Sequence, residues 1–421
     1  MIYKEATKCR SCQHDLKEIL SLGSQKLTGI FPNVGENTQE VPVTLMKCTN
    51  QDCGLVQLKE SVDPNIMYGM DYGYRTGLNK SMTDHIKKVF EDSKDWISLE
   101  KNDLFIDIGS NDGTLVNHIY KNTKGITCLG IDPTICKFGK YYDVGTHKIA
   151  DFFSYNLLSI YLNKKPKAKL ITSFSMFYDL EDPIFFAKEV ESCLADDGIW
   201  IFEQAYLGFI LNRITIDTIL SEHLLYYDLQ SIDYILNSSG LKIIDVELND
   251  INAGSIRIVA TKKDSCLQSY RSVDLIKNYE KIMGFNDPSM SIYKNFVTLC
   301  KNFKEDFRNF LLNADTSGKR VCALGASTKF NCILQYVDAS PKYIQQIGEI
   351  NDDKYGKVTP GTNIPIVPED EVLNSNPDYI IIGCYHFKDF FLGLPKIKQY
   401  IENGGTIVFP LPTLEFYNKD S

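Results

Sequence analysis

Two close pairs of cysteines open the chain, Cys9-x2-Cys12 and Cys48-x4-Cys53. Zinc prefers four soft donors in a tetrahedron, and each pair supplies two of them from one tight turn. Arg10 and Ser11 lie inside the first pair and Gly54 follows the second, residues that suit such turns. The spacing predicts a zinc ribbon with a long insertion, ligated by Cys9, Cys12, Cys48 and Cys53, with His14 as a possible substitute. A domain of this size has a small core, so bound metal would contribute folding energy. The other eight of the 12 cysteines are scattered, mostly among apolar neighbours, and read as structural thiols.

A second constellation is Asp107-Ile-Gly109-Ser-Asn111-Asp-Gly113, which follows the apolar run 104–108 and precedes a helical pattern. A glycine-rich turn between strand and helix lets the backbone approach a ligand beneath the positive end of the helix dipole. The spacing is G-x-x-x-G, which differs from the G-x-G-x-x-G of dinucleotide sites. Residues 126–132 then form a second strand ending in Asp132, an acid able to take both hydroxyls of a ribose. Asp151 and Phe152 close a third strand, beside an adenine. The fourth, 170–178, carries Ser173 and Ser175 toward the same crevice. D-x-G-S-N-D-G followed by G-x-D-P points to S-adenosylmethionine, a phosphate-free cofactor that needs no Gly-Lys phosphate loop. The candidate cofactor residues are Asp107, Gly109, Asn111, Gly113, Asp132, Asp151, Phe152, Ser173 and Ser175.

A base is available in Asp217-Thr-Ile-Leu-Ser-Glu222-His223, after the fifth strand. Histidine suits proton abstraction because its ordinary pKa lies near neutrality, and Glu222 would help to fix the pocket. His386 follows a later strand and is placed to line a ligand crevice. In 325–331, Gly-Ala-Ser-Thr-Lys-Phe-Asn, the backbone N–H groups of Ser327 to Asn331 together with Lys329 could hold an anionic substrate group. Residues 68–79 are rich in Tyr and Gly, without helical period, and read as a hydroxyl-bearing loop.

These groups need a frame, and the alternation of strand and helix patterns supplies one. The chain has 421 residues, 43% hydrophobic and 24% charged, enough for two to four domains with sizeable cores and too apolar for wholesale disorder. Runs at 104–108, 126–132, 170–178 and 198–203 alternate with helical stretches, and 241–247 and 255–260 would close an antiparallel end. That pattern predicts a doubly wound sheet. Residues 82–96 read as a helix, and 264–317, with Phe296, Leu299, Phe303 and Phe307 spaced along it, as amphipathic connecting helices. Strands at 319–325, 343–350, 379–383 and 406–409 predict a second, smaller Rossmann-like unit. The fold class is therefore α/β: a small N-terminal zinc-binding domain (1–80), a central Rossmann-like class I methyltransferase sheet (81–263), and a helical connector with a smaller Rossmann-like α/β domain (264–421). With 45 Lys and Arg against 54 Asp and Glu, the net charge of −9 argues against a nucleic-acid partner. No apolar run of about 18 residues is present for a membrane span, and no secretory signal is visible, so a cytoplasmic chain is expected.

Taken together, the motifs resemble the sugar C-methyltransferases that act on nucleotide-linked deoxysugars. The resemblance rests on both cysteine pairs, on 72–82 (Tyr-Gly-Tyr-Arg-Thr-Gly-Leu-Asn-Lys-Ser-Met), 107–113, 175–183, 217–223, 249–257, 325–329 and 359–365, in order over essentially the whole chain. It implies that His223, beside Glu222, takes the C-3 proton α to a C-4 ketone. It also implies that a donor such as Tyr72, Tyr74 or Asn252 faces the developing enolate oxygen. The implied cofactors are S-adenosylmethionine and zinc, and the implied partner is a nucleotide-diphosphate-linked keto sugar, handled by a monomer or small homo-oligomer. Ser221, Asn252, Ser255, Ser327, Lys329, Asn331 and His386 would touch that substrate. Three positions depart from the family pattern: Ser221 stands where His is usual, Ala253 where Gly is usual, and Phe330 where Gly follows the Thr-Lys pair. Methylation on oxygen, and a non-catalytic sugar-nucleotide-binding role, are the alternative readings.

Overall fold

The fully buried run Leu104–Ile108 sits at the centre of a seven-stranded sheet. A parallel strand covered on both faces must be apolar on both faces, which this sequence is apart from Asp107. The computed structural model describes residues 2–67 and 74–421. The strand order is Leu241–Asn249, Ser255–Lys262, Leu194–Ala205, Ala168–Phe174, Leu104–Ile108, Thr127–Ile131, His147–Ile149. The last five run parallel, and Ser255–Lys262 lies antiparallel to both of its neighbours. Chain order reverses between Leu104–Ile108 and Ala168–Phe174, so the loops after these strands diverge and open a crevice at their carboxyl ends.

The N-terminal unit is a four-stranded sheet ordered Leu225–Tyr226, Val56–Leu58, Glu40–Cys48, Leu16–Lys26. Its first strand comes from the far side of the sequence, directly after His223. Glu40–Cys48 and Val56–Leu58 bring the second cysteine pair to the end of this sheet. Leu16–Lys26 was not anticipated, because its outward positions are exposed and its apolar residues are too sparse to mark a strand. The C-terminal sheet is ordered Ile366–Pro368, Ile347–Glu349, Val321–Leu324, Tyr379–Ile382, Thr406–Phe409, Glu415–Tyr417, with only the last strand antiparallel. The run 343–350 is shortened to Ile347–Glu349, because the N–H groups of Tyr343 and Ile344 both turn back to the Ser340 carbonyl. Ile366–Pro368 and Glu415–Tyr417, of three residues each, are too short to show a period in sequence.

Two helices, Arg271–Met283 and the 26-residue Ser291–Thr316, join the sheets. The longer one buries Tyr293, Phe296, Cys300, Phe303, Phe307 and Leu311 at steps of three and four, one continuous stripe, while Leu299 is only half-buried beside it. Among the described residues no helix is long and apolar enough to cross a membrane.

A buried polar knot ties the connector to the central domain. The Glu280 carboxylate accepts from Tyr206 Oη at 2.9 Å and from the N–H groups of Leu229 and Gln230 at 2.6 and 3.1 Å, capping the helix Leu229–Ser238. Burial, with nearby Asp228 adding to it, pushes the Glu280 pKa up to about 8. The folded state thus holds a proton there that the unfolded chain releases near the usual carboxylate pKa. Stability falls as pH rises from about 4.5 to about 8 and then levels off. Glu280→Gln is expected to flatten this part of the stability–pH curve, measured by urea unfolding at pH 5, 6.5 and 8.

Candidate active site

All three units contribute walls to one cavity of about 1210 Å³. Gly29, Phe31 and Asn33 come from the N-terminal unit, the glycine turn and the His223 loop from the centre, and Ser327, Lys329 and Lys354 from the C-terminal unit.

The cofactor end is built on the crevice of the central sheet. Asp107 ends Leu104–Ile108 as a buried carboxylate, accepting from Thr172 Oγ1 at 2.6 Å. Burial, with Asp132 nearby, raises its pKa to about 7. Gly109 has φ +74°, and a Cβ there would lie 3.0 Å from the Met176 side chain, so the turn needs glycine. Asp132 Oδ2 accepts from the Asn111 N–H at 2.9 Å and Oδ1 from the Thr134 N–H at 2.7 Å. Oδ1 also accepts from Thr134 Oγ1 at 2.5 Å, so the lone pair left for a ligand hydroxyl is on Oδ2. The strand His147–Ile149 delivers Asp151 and Phe152 to the cavity wall with the Phe152 ring exposed. A positive sulfonium and ammonium suit these acids, and a flat base suits Phe152, so the residues fit S-adenosylmethionine. The segment after Tyr74 closes over the turn: the Thr76 N–H donates to Asn111 Oδ1 at 2.9 Å and the Gly77 N–H to Asp112 Oδ2 at 3.0 Å. Arg75 pairs with Asp112 at 3.1 Å.

The histidine loop is gripped from three sides. After His223 the chain forms the strand Leu225–Tyr226 on Val56–Leu58, and the Leu58 N–H donates to the Leu224 carbonyl at 2.8 Å. Glu222 faces the N-terminal unit, where Thr28 Oγ1 lies 3.2 and 3.1 Å from its two oxygens. A Cβ on Gly29 would come within 2.9 Å of that carboxylate, so the close approach requires glycine. Burial raises the Glu222 pKa. His223 is half-buried on the cavity wall, its ring 4.2 Å from that of Tyr178. Nδ1 lies 3.0 Å from the Thr218 carbonyl. A carbonyl only accepts, so Nδ1 carries the proton and Nε2 carries the free lone pair. Burial, reinforced by the Lys329 cation, lowers the His223 pKa to about 3, which keeps the ring neutral, with Nε2 unprotonated, at neutral pH.

Not every predicted residue reaches the cavity. Asp107, Gly109, Asn111, Asp132, Asp151, Phe152, Ser175, Tyr74, Glu222, His223, Asn252, Ser327 and Lys329 line it. Ser173 is a correction: it is buried and accepts from Trp200 Nε1 at 2.9 Å, because strand alternation turns it away from its neighbours toward the core. Gly113 lies behind the turn, at φ +75°, with the Tyr142 ring where a Cβ would stand. Asn331 is fully buried and donates to the Thr28 carbonyl at 2.8 Å, an inter-domain tether away from the cavity. Ser255 donates to the Ile251 carbonyl, Ser221 is buried beneath its loop, and His386 packs between Tyr385 and Phe387, so none of these three lines the cavity. Tyr72 lies outside the described residues. Ala253 occupies φ +76°, the left-handed region where glycine is unstrained, and Phe330 fills fully buried space against Gly383. Thr28, Tyr178, Lys354 and Lys357 were not foreseen, because only tertiary contact places them here.

At the N-terminus, Cys9, Cys12, Cys48 and Cys53 bring their sulfurs within 4.8 Å of one another. Cys9 to Cys53 is 3.8 Å and Cys12 to Cys48 is 3.3 Å. Zinc at roughly 2.3 Å from each sulfur implies S···S of about 3.8 Å, so the cluster fits a tetrahedral ion with no open position. His14 Nδ1 instead contacts the Cys12 carbonyl at 3.1 Å. Arg10, between the first two cysteines, reaches Glu181 on the cavity wall at 3.2 Å.

Three family models match successive parts of the chain. A family model for a zinc binding domain matches residues 9–68, a methyltransferase domain model matches 70–246, and a C-methyltransferase C-terminal domain model matches 250–412. The C-methyltransferase NovU of Streptomyces niveus is 26% identical over 416 residues, 98% of this chain and 97% of that protein. Among solved structures, an S-adenosylmethionine-dependent methyltransferase from Clostridium acetobutylicum ATCC 824 is 14% identical over 42% of this chain and 90% of its own, with a TM-score of 0.33. LepI in complex with SAM is 12% identical over 42% of this chain and 46% of its own, with a TM-score of 0.32.

Because burial raises the Asp107 pKa to about 7 and its carboxylate lines the cavity where a cationic cofactor would sit, S-adenosylmethionine affinity should rise as pH increases from 6 to 8. Titration calorimetry at those pH values checks this, with Asp107→Asn expected to bind more weakly and with no such dependence.

Proposed function

We propose that this chain, an S-adenosylmethionine-dependent methyltransferase with the domain set of the C-methyltransferases, methylates C-3 of a nucleotide-linked 4-keto-6-deoxysugar through an enolate. The observation that carries the reading is a neutral imidazole with a bare Nε2 on the wall of a cavity shared with the cofactor turn. A carbon acid needs such a base, and a ketone beside the C–H lowers the cost of removing its proton.

The cavity volume of about 1210 Å³ exceeds the roughly 300–1,000 Å³ of a single small-ligand pocket, which supports two ligands side by side. Beyond His223 the walls turn basic: Lys329, Lys354 and Lys357 line the C-terminal side. The helix Thr328–Tyr336 begins there, capped by Ser327. A diphosphate suits that end, where cations and free backbone N–H groups meet. Phe31 lies beside Lys354, whose Nζ sits 4.6 Å from the ring centre, and offers an aromatic surface near the nucleoside end.

When bound, S-adenosylmethionine supplies an electrophilic methyl group on sulfonium. The chain's own residues do the rest. Asp107 and Asp132 hold the donor end, and His223 Nε2 takes the C-3 proton. The resulting imidazolium stays anchored through Nδ1–H to the Thr218 carbonyl. Tyr74 and Asn252 are candidates to donate to the enolate oxygen, and both line the cavity. A positioned base contributes typically about 10²–10⁴ in rate. Zinc in the cysteine cluster has a structural role, holding the sheet on which Leu225–Tyr226 pairs.

The test uses dTDP-, GDP- and CDP-linked 4-keto-6-deoxysugars in deuterated water without S-adenosylmethionine. Protein-dependent deuterium at C-3 of one of them, abolished by His223→Asn, is expected by mass spectrometry. Methyl transfer to a sugar hydroxyl, with no deuterium at C-3 for any of the three, would contradict the enolate route.

A further inference from the structure

The tautomer of His223 depends on a turn that the C-terminal unit holds from outside. The ring's Nδ1 partner is the carbonyl of Thr218, in the short turn Ile216–Thr218. Tyr226 Oη reaches that same carbonyl at 3.4 Å. Between Ile216 and Thr218 stands Asp217, fully buried. Its Oδ1 accepts from Tyr385 Oη of the C-terminal unit at 2.9 Å, and its Oδ2 is buried with no hydrogen-bond partner among the described residues. Cys332, from the same unit, points its sulfur at the Ile216 and Ile219 carbonyls at 3.5 and 3.3 Å. Cys332 and Tyr385 thus fasten the start and middle of the turn from the C-terminal unit, while His223 and Tyr226 hold its end.

We propose that Tyr385 and Asp217 are positioning residues that fix the proton of His223 on Nδ1, leaving Nε2 free as the base. The proposal rests on the reading of His223 as that base and adds what holds it ready. A neutral imidazole free in water favours the opposite tautomer, with the proton on Nε2. The Thr218 carbonyl reverses that preference only while it stays aimed at Nδ1. Asp217 is fastened to the C-terminal unit by a side-chain hydrogen bond, and Tyr385 is the donor that pairs its Oδ1. Removing the Tyr385 hydroxyl leaves a buried carboxylate with neither oxygen paired, a state that proteins avoid by moving the group. The turn then rotates to find a donor, and the Thr218 carbonyl leaves Nδ1. The C-terminal unit thereby gains a role besides offering cations to a substrate: it sets the protonation site of a residue carried by another domain.

The experiment uses the full-length protein labelled with 15N at its six histidines. Long-range proton–nitrogen correlation spectra assign the tautomer, and His223→Asn identifies the signals of His223. The wild type is expected to show His223 protonated at Nδ1 and bare at Nε2. In Tyr385→Phe the Nδ1–H form should fall below about half of the population, with S-adenosylmethionine affinity by calorimetry unchanged within about twofold. Asp217→Asn keeps an acceptor at Oδ1 and should retain the wild-type tautomer. A Tyr385→Phe spectrum identical to wild type overturns the proposal. So does a parallel loss of S-adenosylmethionine affinity in Tyr385→Phe, which would mark the contact as generally structural. A wild-type His223 protonated at Nε2 instead overturns the reading of His223 as base, and the proposal with it.

Discussion

The peptide hydrogen bond from Leu58 to Leu224 joins two parts of the chain more than 150 residues apart, and the site is organised around it. The segment 216–227 belongs by sequence to the methyltransferase sheet, yet its backbone is paired with the cysteine-bearing unit and its turn is fastened to the C-terminal unit. A loop carrying a base has no regular structure to hold it, and its polar backbone groups must be satisfied somewhere. Here they are satisfied across domain boundaries. The histidine is oriented by contacts from all three units, so assembly of the site depends on their docking.

The same enclosure sets the electrostatics. Taking groups out of water favours their neutral forms, so His223 loses proton affinity while Asp107 and Glu222 gain it. A neutral base and carboxyls of raised proton affinity suit chemistry that moves one proton and brings one cation into the cavity. Lys329 belongs to this balance: it lowers the proton affinity of His223, and its ammonium donates to the Asn252 carbonyl at 3.0 Å on the same wall.

The motifs that depend on local spacing were legible from sequence. The two cysteine pairs come together as read, and so does Asp107-Ile-Gly109, because a strand, a tight glycine turn and a helix are specified by adjacent residues. The strand ending before Asp132 and the sheet reversal follow from the same alternation. What could not be read depends on strand phase or on distant contact. Ser173 lies in the right strand but on the opposite side of its pleat. Asn331 follows the predicted anion-binding turn, yet one further step along the helix carries it into the Thr28 tether. Strand Leu225–Tyr226 is two residues long and exists only because Val56–Leu58 is there to pair with it. The Tyr178 ring over His223 and the Tyr385 bond to Asp217 left no trace in local pattern at all.

Amide hydrogen exchange over residues 216–227, followed by mass spectrometry in the intact protein before and after zinc chelation, tests the convergence of domains most directly. The account predicts strong protection across Leu224–Tyr226 in the metal-loaded protein. It predicts that protection is lost there on chelation, while the central strands 104–108 and 168–174 keep theirs. Free exchange of 216–227 in the metal-loaded protein, or protection indifferent to the metal, would contradict it.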